Sequence, residues 1–580
     1  MSQHVWQKLR LHWPFMTVAL VGLALVWAEL GKDYLWADEG DTAVLAANIT
    51  KCGLPKAWDG VTFIDSDKGA RLNHDLVMVT SPWLQYCVAA ASFVVFGEQT
   101  FWARLPFAIA GWLTVLFAYC MVLEATANRW AAFSAGAILV GSIQFLLYCR
   151  QCRYYTLCML LALWLIWIFL KMKATRHCIF FALTAILLFH AHPIGSIPIV
   201  ALGVLTIVYR PFAAQRRWFW TAAPAIIALT LPWVFLGGSG YSESMGSVQS
   251  IPQFIGRIVQ YLIECASVTP LVGVAVIALL CGIQRYRGHN RNESPGSTAS
   301  KPVPDKQSTC LIVITIVALV LYALVVAATE PADSLWRIGI RYTTPMFPLM
   351  AMTAGILISR ISRERTVLIL ALTAIVIFTK FGQLTPWIFW GKNVASFDRK
   401  EVIEAHLPVD LVERFFNTRQ QLIFICDLFQ ANPGTIGNVS DFLRDHAQPG
   451  DKLITNYEWE PLYFHTGLPQ ALKILPDYPI YQAAKAKNLP EYVFDVDEVR
   501  WVIWRPVWDG FQEYFAGAVQ QAIVNHGGHI ERVAEIPETL WENRENIHFR
   551  RFSKGRYLFH GPETFPPASI FRVTWPSQDQ

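Results

Sequence analysis

The feature that most constrains this chain is a ladder of apolar runs, each close to the length a helix needs to cross a bilayer. About 20 apolar residues span the hydrocarbon core, and a helix is the open structure that pairs every backbone group within itself there. The first run covers residues 14–30, and others cover 105–123, 130–148, 157–171, 179–190, 193–208, 220–237, 269–283, 310–329, 345–358 and 366–381. They predict a polytopic α-helical membrane protein with about eleven transmembrane helices. Composition agrees, at 54% hydrophobic and 16% charged residues with a mean hydropathy of +0.34. Soluble domains carry about 25% charged residues, so an ordinary cytosolic enzyme and a disordered chain are excluded. A net charge of +5 over 580 residues offers no footprint for nucleic acid, and 11 Cys are too few for a disulfide scaffold.

Orientation follows from Lys and Arg in the short loops. Lys8 and Arg10 precede the first span, and its length reads as a retained anchor rather than a cleaved leader. Arg129, then Lys171 to Arg176, Arg210 to Arg217, Arg285 to Arg291 and Arg360 to Arg365 follow at later span ends. All share one side with the N-terminus if the apolar stretch 82–97 does not cross. The rule therefore predicts an in-plane or re-entrant segment there, a cytoplasmic N-terminus and an external C-terminus. Segments 31–104, 237–266 and 382–580 are then external, and the Ser- and Pro-rich stretch 289–307 is a cytoplasmic linker.

The tail has a different pattern. Residues 441–446 and 512–525 read as helices, 452–455, 499–504 and 530–534 as strands, with turns at Pro449-Gly450-Asp451 and Gly527-Gly528. That alternation predicts a small α/β domain over 383–580, beyond a membrane domain over 1–382. No internal repeat and no glycine-rich phosphate loop stand out.

Polar clusters gather on the external side. Just past the first span lies Trp36-Ala-Asp38-Glu39-Gly-Asp41. Adjacent carboxylates there suit a general base or a cation site, and equally a helix cap by Asp38 or Asp41. Between the third and fourth spans lies Tyr148-Cys-Arg150-Gln-Cys-Arg153-Tyr154-Tyr155. Its arginines run against the positive-inside trend and could hold a phosphate, while its tyrosines suit the headgroup level. The C-x-x-C it contains, Cys149 and Cys152, lacks a thioredoxin-like βαβ context. His190-Ala-His192-Pro193 reads as a helix-end turn or a metal pair, and Arg337 with Arg341-Tyr342 precedes a later span. A base beside an anion site at a membrane surface suits a lipid-linked phosphate donor whose sugar departs from that phosphate.

An ordered set of motifs carries a resemblance. The first external loop opens with Asp38-Glu39 and ends in Ser81-Pro82-Trp83-Leu84-Gln85-Tyr86, Phe96-Gly97-Glu98 and Arg104-Leu105-Pro106, with Arg150 to Tyr155 and Arg341-Tyr342 following. Over residues 10–385 this resembles the GT-C integral-membrane glycosyltransferases, of the protein O-mannosyltransferase and lipid A aminoarabinose transferase type. The resemblance implies a GT-C-like fold with surface-lying helices in the first loop. It also implies a polyprenyl-phosphate-linked sugar as donor, inversion at the anomeric carbon, and a glycan, lipid or protein acceptor in the cell envelope. The family's first-loop base maps onto Asp38, with Glu39 beside it as the second catalytic candidate. Arg150, Arg153 and Arg341 are the donor-phosphate candidates, and Asp41, Tyr154, Tyr155, His192, Arg337 and Tyr342 the pocket candidates. The oligosaccharyltransferase D-x-D is missing, so no cofactor and no obligatory metal are expected. Thr80-Ser81 stand where aminoarabinose transferases carry a Lys, and Arg153-Tyr154-Tyr155 where they carry an acidic residue, which argues against that particular reaction. The expected setting is a bacterial inner membrane, with the tail in the periplasm and membrane lipids around the spans. The rival reading, a transporter or flippase of a lipid-linked envelope precursor, needs ionisable residues in mid-span, and the runs above hold almost none.

Overall fold

A computed structural model of the chain describes residues 3–60, 72–73, 75–79, 81–244, 250–268, 306–329, 340–379, 418–429, 434–456, 459–471, 496, 499–505, 510–537 and 567–576. Helix α1 (Gln3–Trp27) is followed by two helices of the first loop, α2 (Ala37–Cys52) and α3 (Leu84–Phe96). Then come α4 (Thr100–Thr126), α5 (Arg129–Gly141), α6 (Ile143–Cys149), α7 (Tyr155–Leu170), α8 (Thr175–Ala191), α9 (Ile197–Val208), α10 (Ala213–Ser244) and α11 (Ile251–Val268). After α12 (Lys306–Thr329), α13 (Met346–Ile361) and α14 (Thr366–Phe378) complete the bundle. Each predicted span within the described residues coincides with a helix; the one over 269–283 and nearly all of the linker lie outside them.

Length qualifies the count of about eleven crossings. Among the described residues, Thr100–Thr126, Arg210–Phe235 and Lys306–Ala328 are long and apolar enough to cross alone. The predicted span 130–148 is broken, since α5 and α6 meet at 72° and make a fourth only as a pair. Ser142 caps α6 by accepting the Phe145 N–H at 3.4 Å, which starts a new helix at the bend. The remaining apolar helices run 10–17 residues. At 1.5 Å per residue these rise about 15–26 Å against a core of about 30 Å. Helix α3 is one of them, with 13 residues. It lies against α2 and α4, and its far end (Val94, Val95 and Phe96) is exposed, as suits a helix resting on a lipid surface.

Helices α7 and α8 form an antiparallel hairpin, so the bundle has two chemically different ends. At one end Lys171 pairs with Glu124 at 2.9 Å and Arg360 donates to Ser308 and Thr309 at 2.6 and 3.1 Å. The opposite end carries Asp38, Arg153, His192 and Arg341. In between, helices approach closely through small residues: a Cβ on Gly355 would stand 2.7 Å from the Ala131 carbonyl.

The tail folds as a four-stranded sheet, β1 (Lys452–Thr455), β2 (Val499–Trp504), β3 (His529–Ile536) and β4 (Ala568–Thr574), in the order β1-β2-β4-β3. The β1–β2 pair is parallel and the others antiparallel. Alternate residues face opposite sides, except at a bulge near the start of β2 that brings Val499 to the face of Val502. Ile454, Val499, Val502 and Val573 pack with Val519 and Ile523 of α18 (Gly510–Asn525). Leu453, Trp501, Ile503 and Ile570 pack with Val439 and Leu443 of α16 (Gly434–His446) and Leu462 of α17 (Trp459–Thr466). The predicted α/β alternation is therefore present. Sequence reading missed β4, whose apolar alternation is interrupted by Arg572, and α17, which is only 8 residues long. It also missed α15 (Thr418–Phe429), whose Gln421 donates to the Gly141 and Ile377 carbonyls at 3.2 and 2.9 Å, tying the tail to the bundle.

The tail docks on the first loop. Phe464 joins Leu35, Ala43, Ala47, Phe93 and Phe107 in one apolar cluster, and the Leu35 N–H donates to His465 Nε2 at 2.9 Å. A Cβ on Gly40 would lie 2.5 Å from Pro461, so α2 and α17 meet backbone to backbone where only glycine fits.

Candidate functional site

The site is built at the start of α2. Trp36 occupies the N-cap in extended conformation and makes no side-chain cap hydrogen bond. Asp38, Glu39 and Asp41 therefore lie inside the helix, and neither Asp38 nor Asp41 is the cap. Carboxylates in a first turn are favoured by the helix dipole. Successive residues point about 100° apart, so the adjacent pair Asp38 and Glu39 face different surroundings.

Glu39, the second catalytic candidate, lies away from the open surface. It is fully buried and takes a two-pronged hydrogen bond from Arg104, Nε to Oε1 at 2.8 Å and Nη2 to Oε2 at 2.6 Å. The Cys152 N–H donates to Oε1 as well, at 2.7 Å. The remaining N–H groups of Arg104 go to the carbonyls of Leu30, Asp33 and Tyr34 at 2.9–3.0 Å. Glu39 and Arg104 thus tie the end of α1, the start of α2, α4 and the α6–α7 turn into one knot. Both carboxylate oxygens are committed to it.

Arg150, a donor-phosphate candidate, faces the backbone of α1. Its Nη1 donates to the carbonyls of Leu25, Val26 and Ala28 at 3.3, 3.1 and 2.7 Å, and its Nη2 to that of Glu29 at 3.3 Å. It is buried at the C-terminal end of α1, where helix carbonyls lack partners and a cation is favoured.

Asp38, Arg153 and Arg341 are brought together. Oδ2 of Asp38 lies 3.2 Å from Nη2 of Arg153 and 3.3 Å from Nη1 of Arg341. The Asp38 side chain is 31% exposed and that of Arg341 27%, whereas Glu39 is 1% exposed, so the accessible carboxylate is Asp38. Arg153 is held from below: its Nη1 donates to the Asp38 carbonyl at 3.0 Å and to Thr42 Oγ1 at 3.2 Å, with Asp41 at 3.6 Å.

The aromatic candidates form a stack between these arginines. Tyr154 lies against His192 with ring centres 4.1 Å apart, and His192 against Tyr342 at 5.4 Å. Arg153 sits over the Tyr154 ring at 5.6 Å and Arg341 over that of Tyr342 at 5.1 Å. His192 is the C-cap of α8, and Tyr342 lies in the short 3₁₀ turn Ile340–Thr343 before α13. Burial, then the charges of Arg153 and Arg341, push the His192 imidazole down to about 3, so the ring is neutral. Its Nδ1 is buried without a hydrogen-bond partner. His190 does not join it; its Nε2 meets the Leu229 carbonyl of α10 at 3.2 Å. Tyr155 is fully buried against Tyr148 and Tyr154, one layer behind the accessible surface. Arg337 lies outside the described residues. Among the described residues no group of three or more His, Cys, Asp or Glu is arranged to hold a metal ion.

Sequence reading assigned no role to Arg104, Thr42 or Gln85. Gln85 is buried, donates to Ser81 Oγ at 3.3 Å and accepts the Tyr154 N–H at 3.2 Å, so it anchors the stack to α3. Arg104 was detectable as a lone charge at the head of the run 105–123, since a charge there needs a partner.

No protein-family model and no curated protein matches the sequence. Solved structures do match. The crystal structure of ArnT from Cupriavidus metallidurans in the apo state aligns with a TM-score of 0.52 at 15% identity, over 85% of this chain and 92% of that one. The same enzyme bound to undecaprenyl phosphate aligns at 0.52 with 14% identity, over 92% and 97%. The archaeal oligosaccharyltransferase AglB from Archaeoglobus fulgidus, in complex with an inhibitory peptide and a dolichol-phosphate, aligns at 0.44 with 11% identity, over 90% and 73%. Identity this low speaks to architecture, and in architecture the chain has the fold of ArnT.

Proposed function

We propose that this chain is a multi-pass membrane glycosyltransferase that moves a sugar from a polyprenyl-phosphate donor to a hydroxyl acceptor. The observation that carries the reading is the convergence of Arg153 and Arg341 on one oxygen of the accessible Asp38. A carboxylate and two cations at one point supply the two needs of the reaction, a proton acceptor and a counter-charge for a departing phosphate. The ArnT crystal structure holding undecaprenyl phosphate supports a polyprenyl phosphate as partner.

In this reading Asp38 takes the proton of the acceptor hydroxyl. The hydroxyl oxygen bonds to the anomeric carbon as the bond from that carbon to the phosphate oxygen breaks. The electron pair leaves on the phosphate, against Arg153 and Arg341, and attack opposite the leaving group inverts the carbon. General-base assistance contributes about 10²–10⁴-fold. Preorganised cations in a partly water-excluded site usually contribute the larger share. Arginine, rather than a bound metal, carries the counter-charge. The first loop and the tail lie on the periplasmic face of the inner membrane and the N-terminus in the cytoplasm, as the charge distribution of the loops suggests.

The test is a comparison of lipid-linked sugars in cells carrying the wild type or Asp38→Asn, by mass spectrometry. One polyprenyl-phosphate sugar should accumulate in the variant, and that species names the donor. Identical lipid pools together with an unchanged envelope glycan would remove the transferase reading.

A further inference from the structure

The two site arginines reach Asp38 from segments nearly two hundred residues apart, and the distance between them is set by something. Arg153 precedes α7, and Arg341 lies in the turn before α13. The series Arg153, Tyr154, His192, Tyr342, Arg341 runs from one to the other, each group stacked on the next. With Asp38 bridging the two guanidinium groups, the series closes into a ring. His192 is its middle member and comes from a third segment, the end of α8.

Histidine at this place does none of its usual work. Its Nδ1 is buried without a hydrogen-bond partner. Its flat faces, by contrast, are both used, at 22° to Tyr154 and 30° to Tyr342. The backbone around it is also fixed. The His192 N–H donates to the Leu188 carbonyl at 3.2 Å, and Tyr322 of α12 donates to the Gly195 carbonyl at 3.1 Å just beyond. Stacked aromatic pairs and cation–π contacts each contribute about 0.5–1.5 kcal/mol, small individually but directional.

We infer that His192 is a positioning residue, a flat plate whose thickness sets the gap between the two guanidinium groups that receive the donor phosphate. This rests on the donor reading above. It assigns His192 no contact with substrate: removing the ring lets Tyr154 and Tyr342 collapse or tilt, and the arginines no longer meet at one anion.

The test uses the full-length protein in detergent with undecaprenyl phosphate as the probe. His192→Phe keeps the plate and should bind close to the wild-type value, whereas His192→Ala should weaken binding by about tenfold or more. A double-mutant cycle separates positioning from a general loss of structure. If His192 acts through the arginine, Arg153→Ala combined with His192→Ala should bind no more weakly than Arg153→Ala alone. Wild-type affinity in His192→Ala, equal weakness of the Phe and Ala variants, or additive losses in the cycle would each overturn the inference while leaving the donor reading intact. A wild-type protein that takes up no undecaprenyl phosphate would overturn both.

Discussion

Four arginines lie within one region of this molecule, and they divide into two kinds. Arg104 and Arg150 are buried, and the hydrogen bonds of each go to backbone carbonyls or to Glu39. Arg153 and Arg341 keep contact with the surface and turn their charge toward Asp38. The first kind completes a fold, because a buried guanidinium is tolerable only when its donors are satisfied. The second kind meets a carboxylate that stays open to solvent, the arrangement on which the proposed anion site rests. Two carboxylates divide the same way: Glu39 is sealed in the knot and Asp38 is open. Neighbouring residues of one type thus belong to a scaffold and to a site, separated by a quarter turn of helix.

Substitutions can break this division, and the largest effect should come from the scaffold. Arg104→Ala leaves Glu39 buried and unpaired, which costs about 3–5 kcal/mol. Its expected signature is loss of folded protein in detergent, read by thermal melting or size exclusion. Asp38→Asn should do the reverse, lowering transfer by about 10²–10⁴-fold with melting unchanged. A melting point that drops as far as in Arg104→Ala would place Asp38 in the scaffold. Arg153→Ala should lower transfer on the order of 10²-fold. Arg341→Ala should lower it less, because the Arg341 side chain is 27% exposed against 12% for Arg153, and solvent screens it more.

Smaller effects probe the tail. Gly40→Ala forces a methyl into Pro461 and should cost about 1–3 kcal/mol, reporting whether the α2–α17 contact supports the site. The smallest expected effect is one of pH. Burial, then Arg104 and Arg444, lower the His465 imidazole to about 3 from 6.5. The unfolded chain therefore binds the proton more readily than the folded one, and stability falls as pH drops from about 6.5 toward 3. His465→Gln should flatten that slope by a few degrees of melting temperature between pH 7.5 and 5. An unchanged slope would mean that the Leu35–His465 hydrogen bond does not hold the tail.

Much of this organisation is local and was therefore written in the sequence. Helix runs, loop charges and the strands at 452–455 and 499–504 depend on residue period and hydropathy over a few neighbours. So did the grouping of candidates, since Asp38, Arg153, His192 and Arg341 all fall at span ends of one side. The roles within that group were not local. Asp38 and Glu39 are adjacent, and nothing about their spacing says which meets Arg104 and which meets Arg341, 303 positions away. Arg150 and Arg153 share one turn, yet one binds the end of α1 and the other the open carboxylate. The bend at Ser142, the docking of α17 on Gly40 and the histidine between two tyrosines have the same origin. Sequence determined which residues could do chemistry and at which end of the helix bundle they gather. Tertiary packing alone decided which of them were spent on satisfying buried backbone and which were left facing outward, because burial and partnership are properties of distant segments meeting in space.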